Sequence, residues 1–131
     1  MKKIFYSLTF LFVLLVSKNL FAQDNRWTWF AQSEKGDYLQ VYYYDNTSIS
    51  YWKDFSGNTY TELWIKITPI SKDITHSVLK WRIYCKTKEI LEVNYLDYYQ
   101  NGYVYESEIN YDKTSIVPET IGEDLYKVLC R

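Results

Sequence analysis

The chain has 131 residues, of which 20% are aromatic, with only 4 Gly and 2 Pro. This composition excludes a disordered chain, and no internal repeat occurs that would indicate a repeat protein. The formal net charge is −1, from 15 Lys and Arg and 16 Asp and Glu.

The first predicted element is a signal peptide over residues 1–22. Lys2 and Lys3 precede a predominantly apolar stretch of 13 residues, 4–16, and Ala22 is the nearest small residue after it. A positive start, an apolar segment of this length and a small residue at the exit are typical of secretory signals. The stretch is too short to span a membrane. We expect cleavage after Ala22, no transmembrane segment in the mature chain, and a secreted, periplasmic or cell-surface location.

The mature domain is predicted to be residues 23–131. Cleavage removes three lysines and no acidic residue, so the net charge falls from −1 to −4. This mildly acidic chain lacks the basic surface that binds nucleic acid or anionic lipid. Its length is sufficient for one domain with one core.

Three segments of the mature domain alternate with a period of two, which predicts strands with one buried face. The members assigned to the core are Leu39, Val41 and Tyr43 in the first, Thr61, Leu63, Ile65 and Ile67 in the second, and Leu79, Trp81, Ile83 and Cys85 in the third. The polar residues 71–77 are expected to form a loop.

A hairpin and a helix are predicted in the C-terminal part. Residues 90–99 and 103–111 form the two hairpin strands, and Asn101-Gly102 between them favours a type I′ turn. Thr120 and Glu123 then have the spacing of a capping box at a helix start. The apolar stripe of that helix consists of Ile121, Leu125, Val128 and Leu129.

The chain contains two cysteines, Cys85 and Cys130. In an oxidising compartment two cysteines without a competitor form one disulfide, whereas two thiols and the distant His76 lack metal-ligand spacing. No metal and no cofactor are expected. The predicted fold class is α+β: one domain dominated by an antiparallel β-sheet, with a C-terminal helix tied to the sheet by the disulfide.

No set of residues in the sequence defines a catalytic site. His76 is a lone histidine in a polar segment, without a designated nucleophile or orienting acid. Glu106 and Glu108 share one face of a strand, near the carboxylate spacing of glycosidases, but a solvated strand face explains them better. We therefore predict that the protein is not an enzyme.

The tyrosines are the main indication of a binding role. Tyr42, Tyr43 and Tyr44 are consecutive, so their rings must project to both faces of a strand. Exposed Tyr rings offer rigid amphipathic contact area to partners, although most aromatic residues here complete the core and shield strand edges. The predicted partner-binding residues are Tyr42, Tyr44, Tyr98, Tyr99, Tyr103 and Tyr105.

Several short motifs follow one another through the mature domain. They are Trp29, Tyr43-Tyr44-Asp45, Ser48-Ile49, Leu63-Trp64-Ile65-Lys66, Tyr84-Cys85, the segment from Tyr99 to Gly102, and Val117 to Glu123 followed by Leu125 and Cys130. With these motifs in this order, the chain resembles the surface-adhesin protein E family of small exported bacterial domains. Glu119 and Thr120 stand where that family has Gly and Ser, and no lipid-attachment cysteine follows the signal.

The resemblance implies an antiparallel sheet with a helix held by a Cys85–Cys130 disulfide, and binding of host matrix or plasma proteins. We therefore predict an exported, non-enzymatic, adhesin-like binding protein. It would contact a protein or glycan partner, such as a host matrix protein or an envelope component, through exposed aromatic residues. The alternatives are an inhibitor or chaperone-like partner of another exported protein, and a small cell-wall hydrolase acting through Glu106 and Glu108.

Overall fold

The computed structural model describes residues 26–107 and 112–131, so the predicted signal peptide lies outside the described residues. These two ranges form an eight-stranded antiparallel sheet and one helix. The elements are β1 (Trp27–Lys35), β2 (Tyr38–Asp45), β3 (Ser50–Lys53), β4 (Thr59–Thr68), β5 (Ile74–Tyr84), β6 (Glu89–Tyr99), β7 (Val104–Ser107), β8 (Thr114–Ser115) and α1 (Ile121–Leu129). The predicted sheet, terminal helix and disulfide are confirmed, but the described chain is mostly sheet rather than a balanced α+β fold. Its one helix is too short to span a membrane.

The strands follow the order β1-β2-β4-β5-β6-β7, and every pairing is antiparallel. Two short strands lie off this path. β3 pairs with residues 59–62 of β4, whereas β2 pairs with residues 65–68 of the same strand, so β2 and β3 share one edge of β4. β8 pairs with the start of β6, beside β7.

The core lies between one face of the sheet and α1. The predicted core positions of β4 are all buried, and on β5 Leu79 and Ile83 are buried while Trp81 and Cys85 pack partly buried against them. Leu125 of α1 belongs to the same cluster. We call this side the inner face, and the opposite side, which carries Trp64, the outer face, because neighbouring residues of a strand point to opposite sides.

The predicted faces of β2 are wrong. Leu39 is 49% exposed, whereas Gln40 is buried and accepts a hydrogen bond of 3.1 Å from the Tyr42 hydroxyl. The rings of Tyr42 and Tyr44 pack on the inner face, each 6.2 Å from the Phe30 ring. The inner face of β2 is therefore formed by Gln40, Tyr42 and Tyr44 and not by the predicted Leu39, Val41 and Tyr43. Gln40 can be buried because its side chain is hydrogen-bonded.

The segment of residues 71–77 is not a loop throughout, because β5 already begins at Ile74. A register shift between Ile74 and His76 leaves Thr75 with no residue directly opposite it on β6 and sets His76 opposite Tyr98, while the Thr75 hydroxyl donates to the Tyr98 carbonyl at 2.9 Å. From His76 onward the side chains of β5 alternate, so His76 points to the same side as Val78 and Lys80. His76 therefore lies on the outer face of the sheet.

The hairpin between β6 and β7 is confirmed, but its turn is not of type I′. Tyr99 N–H donates to the Tyr103 carbonyl at 2.9 Å, which leaves a three-residue loop. Gly102 has φ +84°, and Asn101 does not have positive φ. Instead, the Asn101 side-chain oxygen accepts a hydrogen bond of 2.9 Å from Tyr103 N–H. This is the three-residue hairpin loop with glycine in the left-handed position. The predicted strand residues 108–111 lie outside the described part.

The disulfide joins Cys85, directly after β5, to Cys130 at the end of α1, with Cα atoms 5.5 Å apart. Both residues are partly rather than fully buried. At the other end of the helix Thr120 is the N-cap, as predicted, and its hydroxyl accepts from Glu123 N–H. The Glu123 carboxylate accepts from Glu119 N–H at 2.9 Å instead of returning to Thr120.

Candidate functional site

The six tyrosines predicted to bind a partner do not form one surface. Tyr42 and Tyr44 pack against the core, so the expectation that they are exposed is wrong. Tyr103 and Tyr105 are exposed at 58% and 48%. Tyr98 is half-buried, and its ring stacks on His76 at 4.4 Å between ring centroids. Of the six predicted residues, Tyr103 and Tyr105 therefore remain as an accessible aromatic surface on the β6–β7 hairpin, with half-buried Tyr99 beside Tyr103.

Three strongly exposed aromatic residues of the described chain, close together in the sequence, were not predicted as partner-binding residues. They are Tyr51 and Trp52 on β3 and Phe55 in the turn after it, with Tyr51 77% exposed and Trp52 56% exposed. β3 has only four residues, and adjacent side chains of a strand face opposite sides. Two neighbouring aromatic residues on so short a strand cannot both enter the core. That pairing is the signal in the sequence that could have found them.

A groove of about 750 Å³ lies beside these residues, and we call it the hairpin groove. It runs between the β3–β4 hairpin and the C-terminal end of α1. Its lining includes Tyr51, Trp52, Tyr60, Tyr126 and both disulfide cysteines. The described lining contains no acidic residue, but it contains three cations, Lys53, Lys86 and Arg131.

The walls of the hairpin groove are held by specific contacts. Trp52 Nε1 donates to the Ser50 hydroxyl at 2.9 Å, which orients the indole. Across the groove the Tyr126 hydroxyl donates to the Cys85 carbonyl at 3.3 Å, next to the disulfide. A surface whose aromatic rings are held in place loses little side-chain entropy when it binds a partner.

The outer face carries a second arrangement, a series of cations over aromatic rings. Each pair places a cationic nitrogen or guanidinium carbon within 6 Å of a ring centroid, the distance of a cation–π contact. The pairs are Lys66 with Trp27 and Tyr43, Lys80 with Trp64, Arg82 with Tyr60, and Lys113 with Tyr84. The aliphatic stems of these cations thereby cover the sheet face opposite the one on which the described helix packs.

At one end of this series lies a groove of about 490 Å³, which we call the outer-face groove. Its lining residues are Arg26, Trp27, Trp64, Lys66, His76, Val78, Leu96 and Tyr98. The His76 and Tyr98 rings are stacked face to face, with centroids 4.4 Å apart and 9° between their planes, so each covers one face of the other. Val78 and Leu96 are paired across β5 and β6 and give this part of the sheet an apolar surface.

His76 is the one histidine of the chain, and the groove lowers its pKa from the ordinary value of 6.5. Burial is the larger cause, because a partly buried ring is harder to protonate, and the positive charge of Lys66 adds to it. The ring is therefore neutral at pH 7. The Thr75 hydroxyl lies 3.1 Å from its Nδ1 atom.

We expect Lys66→Gln to raise the pKa of His76 without restoring the ordinary value, because burial remains. The C2 proton of the single imidazole, followed by NMR against pH, measures this directly. Because the pKa in the folded state lies below that of the unfolded chain, folding stability should decline as the pH falls from about 6.5 through the folded pKa. An unchanged titration midpoint in Lys66→Gln would show that the two side chains do not interact.

The described residues that could support hydrolysis are not arranged as a catalytic pair. Glu106 is exposed and accepts a hydrogen bond of 3.0 Å from the Asn94 side chain, while Glu108 lies outside the described part. Ranges 26–107 and 112–131 contain no group of three metal-binding side chains.

A polar network is buried on the inner face of β5 and β6. The Ser77 hydroxyl donates to the Asp97 carboxylate and lies 3.2 Å from the Tyr95 hydroxyl. Burial, with the neighbouring Asp97, raises the pKa of Tyr95 to about 12. His76 points to the opposite face, so no imidazole lies beside this serine, and the hydrogen bonds of the network satisfy buried polar groups.

No protein-family model, no curated protein and no solved structure matches this chain.

Proposed function

We propose that this chain is an exported, non-enzymatic binding protein that holds a protein or glycan partner in the hairpin groove. The observation that carries the proposal is the position of the exposed Tyr51 and Trp52 in the lining of a groove of about 750 Å³. Large exposed aromatic residues at the edge of a concave surface are typical of partner-binding sites.

Three features support this assignment. The partner would meet aromatic rings on one side and a wall fixed by the disulfide and Tyr126 on the other. Tyr and Trp are the residues that most often dominate binding energy when a partner covers them. The three cations of the lining, without an acid beside them, favour a partner segment that carries negative charge.

The double variant Tyr51→Ala, Trp52→Ala tests the proposal. Its capture of partners from host serum, matrix proteins and the native envelope should fall by roughly 30-fold or more, since one dominant residue is typically worth about 2 kcal/mol. The melting temperature should be nearly unchanged because both side chains are exposed. Surface-immobilised wild-type and variant protein, compared by mass spectrometry and then by affinity measurement, provide the readout.

Trp29→Ala is the matched control, because Trp29 and Trp52 are equally exposed, at 56%. Loss of capture in this control alone would refute the hairpin groove as the site. If Tyr103→Ala with Tyr105→Ala abolished capture while the Tyr51 and Trp52 variant did not, the β6–β7 hairpin would be the binding surface. A hydrolytic activity on cell-wall polymer that disappears in Glu106→Gln would contradict the non-enzymatic assignment.

A further inference from the structure

The outer-face groove has the properties of a second binding site, separate from the hairpin groove. Its volume of about 490 Å³ lies within the range of about 300–1,000 Å³ that small ligands occupy. None of its described lining residues is an Asp or Glu. The chain as a whole has slightly more acidic than basic residues, whereas the lining of this groove has basic residues and no acidic one. The electrostatic potential in the groove is therefore positive.

Lys66 is the cation in this groove whose charge is not compensated. The neighbouring cations of the outer face each form an ion pair: Lys80 and Arg82 with Glu62, and Lys113 with Asp54. Within the described residues Lys66 has no such partner, and its ammonium group contacts the Trp27 and Tyr43 rings instead. A half-buried ammonium group without a counter-ion interacts more strongly with an incoming anion than a solvated one does.

The groove offers a site for one carboxylate, at Lys66, rather than for a dianion. Arg26 also lines it, but Arg26 Nε donates to the buried Asp45 carboxylate at 2.6 Å. One uncompensated cation matches a carboxylate better than a phosphate dianion. The neutral His76 ring adds a polar group for a hydroxyl, while Val78 and Leu96 require an apolar surface on the ligand.

We infer that the outer-face groove binds a carboxylated saccharide, with the carboxylate on Lys66 and the sugar ring packed against the stacked His76–Tyr98 pair. A pyranose ring offers an apolar face of C–H groups for the aromatic surface that this pair presents to the groove, hydroxyl groups for the imidazole, and one carboxylate if it is a uronic acid. An acidic peptide satisfies Lys66 equally well, but it has no rigid ring with hydroxyl groups for the stacked pair. The site does not depend on the partner proposed for the hairpin groove.

Titration of the exported protein with tetragalacturonate, followed by tryptophan fluorescence and calorimetry, tests this inference. Lys66→Gln should weaken binding by about tenfold or more, the usual effect of losing a charge-assisted hydrogen bond. The fully methyl-esterified oligosaccharide has the same shape without the charge and should lose a similar factor. Lys35→Gln removes the same charge from the exposed end of β1 and should bind as the wild type does.

Several results would overturn the inference. One is equal affinity for the acid and its methyl ester, and another is unchanged affinity in Lys66→Gln. Binding of poly-L-glutamate through Lys66, without binding of tetragalacturonate, would make this a peptide site. If Lys66→Gln failed to fold, Lys66→Arg should retain binding, and the comparison of acid with ester on the wild type would decide. The Tyr51→Ala, Trp52→Ala variant should keep its tetragalacturonate affinity, which separates this site from the proposed function.

Discussion

Replacing both disulfide cysteines, in Cys85→Ala with Cys130→Ala, should lower the free energy of unfolding by about 2–5 kcal/mol. The bond joins residues 45 apart in the sequence, and without it the unfolded chain gains conformational freedom. The folded chain also loses the covalent attachment of α1, whose nine residues are too few to form a stable helix alone. Urea unfolding followed by circular dichroism measures the difference.

Two comparisons make the disulfide prediction decisive. The wild-type protein should show no reactive thiol when denatured without reductant, and in the presence of reductant its unfolding midpoint should approach that of the double variant. Two reactive thiols in the untreated protein would refute the bond. If the reduced wild-type protein were as stable as the oxidised protein, the Cys85–Cys130 disulfide would contribute little to the free energy of unfolding.

Leu125→Ala should have an effect of similar size, about 2–5 kcal/mol, because the substitution leaves a cavity between α1 and the sheet. The Leu125 side chain is fully buried, and it is the one buried residue of the helix. It packs in the cluster that contains Leu63 and Ile65 of β4. The measurement is again chemical unfolding, with the disulfide intact so that the helix stays attached.

Leu39→Ala provides the matched control for Leu125→Ala. The same atoms are removed, but Leu39 is 49% exposed on β2, so the loss should stay below about 1 kcal/mol. Similar losses in the two variants would mean that α1 does not cover the core as described. Together the pair measures how much of the stability depends on the contact between the helix and the sheet.

The structure is predicted best from the sequence where apolar residues recur with the period of the secondary-structure element that contains them. On β4 every second residue from Thr61 to Ile67 is buried and the intervening residues are not, so Leu63, Ile65 and Ile67 could be placed from the alternation alone. The helix, its N-cap Thr120 and the disulfide are also predictable, since they depend on local spacing and on there being only two cysteines.

Prediction fails where an amphipathic side chain can lie on either face. A run of three tyrosines has no period, and the burial of Gln40 depends on a hydrogen bond from Tyr42 that only the folded chain provides. The bulge at Thr75, which sets His76 opposite Tyr98, is not indicated by any pattern in the sequence. The outer-face groove gathers Trp27, Lys66 and Tyr98 from three separate strands, so it emerges from the pairing of the strands and not from a motif.

The position of the disulfide also determines how the chain would respond to mechanical load. Cys130 directly follows α1, and its partner Cys85 follows a strand in the middle of the sheet. A pull on Arg131 therefore reaches β5 through a covalent bond and bypasses residues 86–129, which form a closed loop that tension cannot extend. The helix, β6, β7 and β8 would keep their contour length under tension, and only the segment before Cys85 could be drawn out.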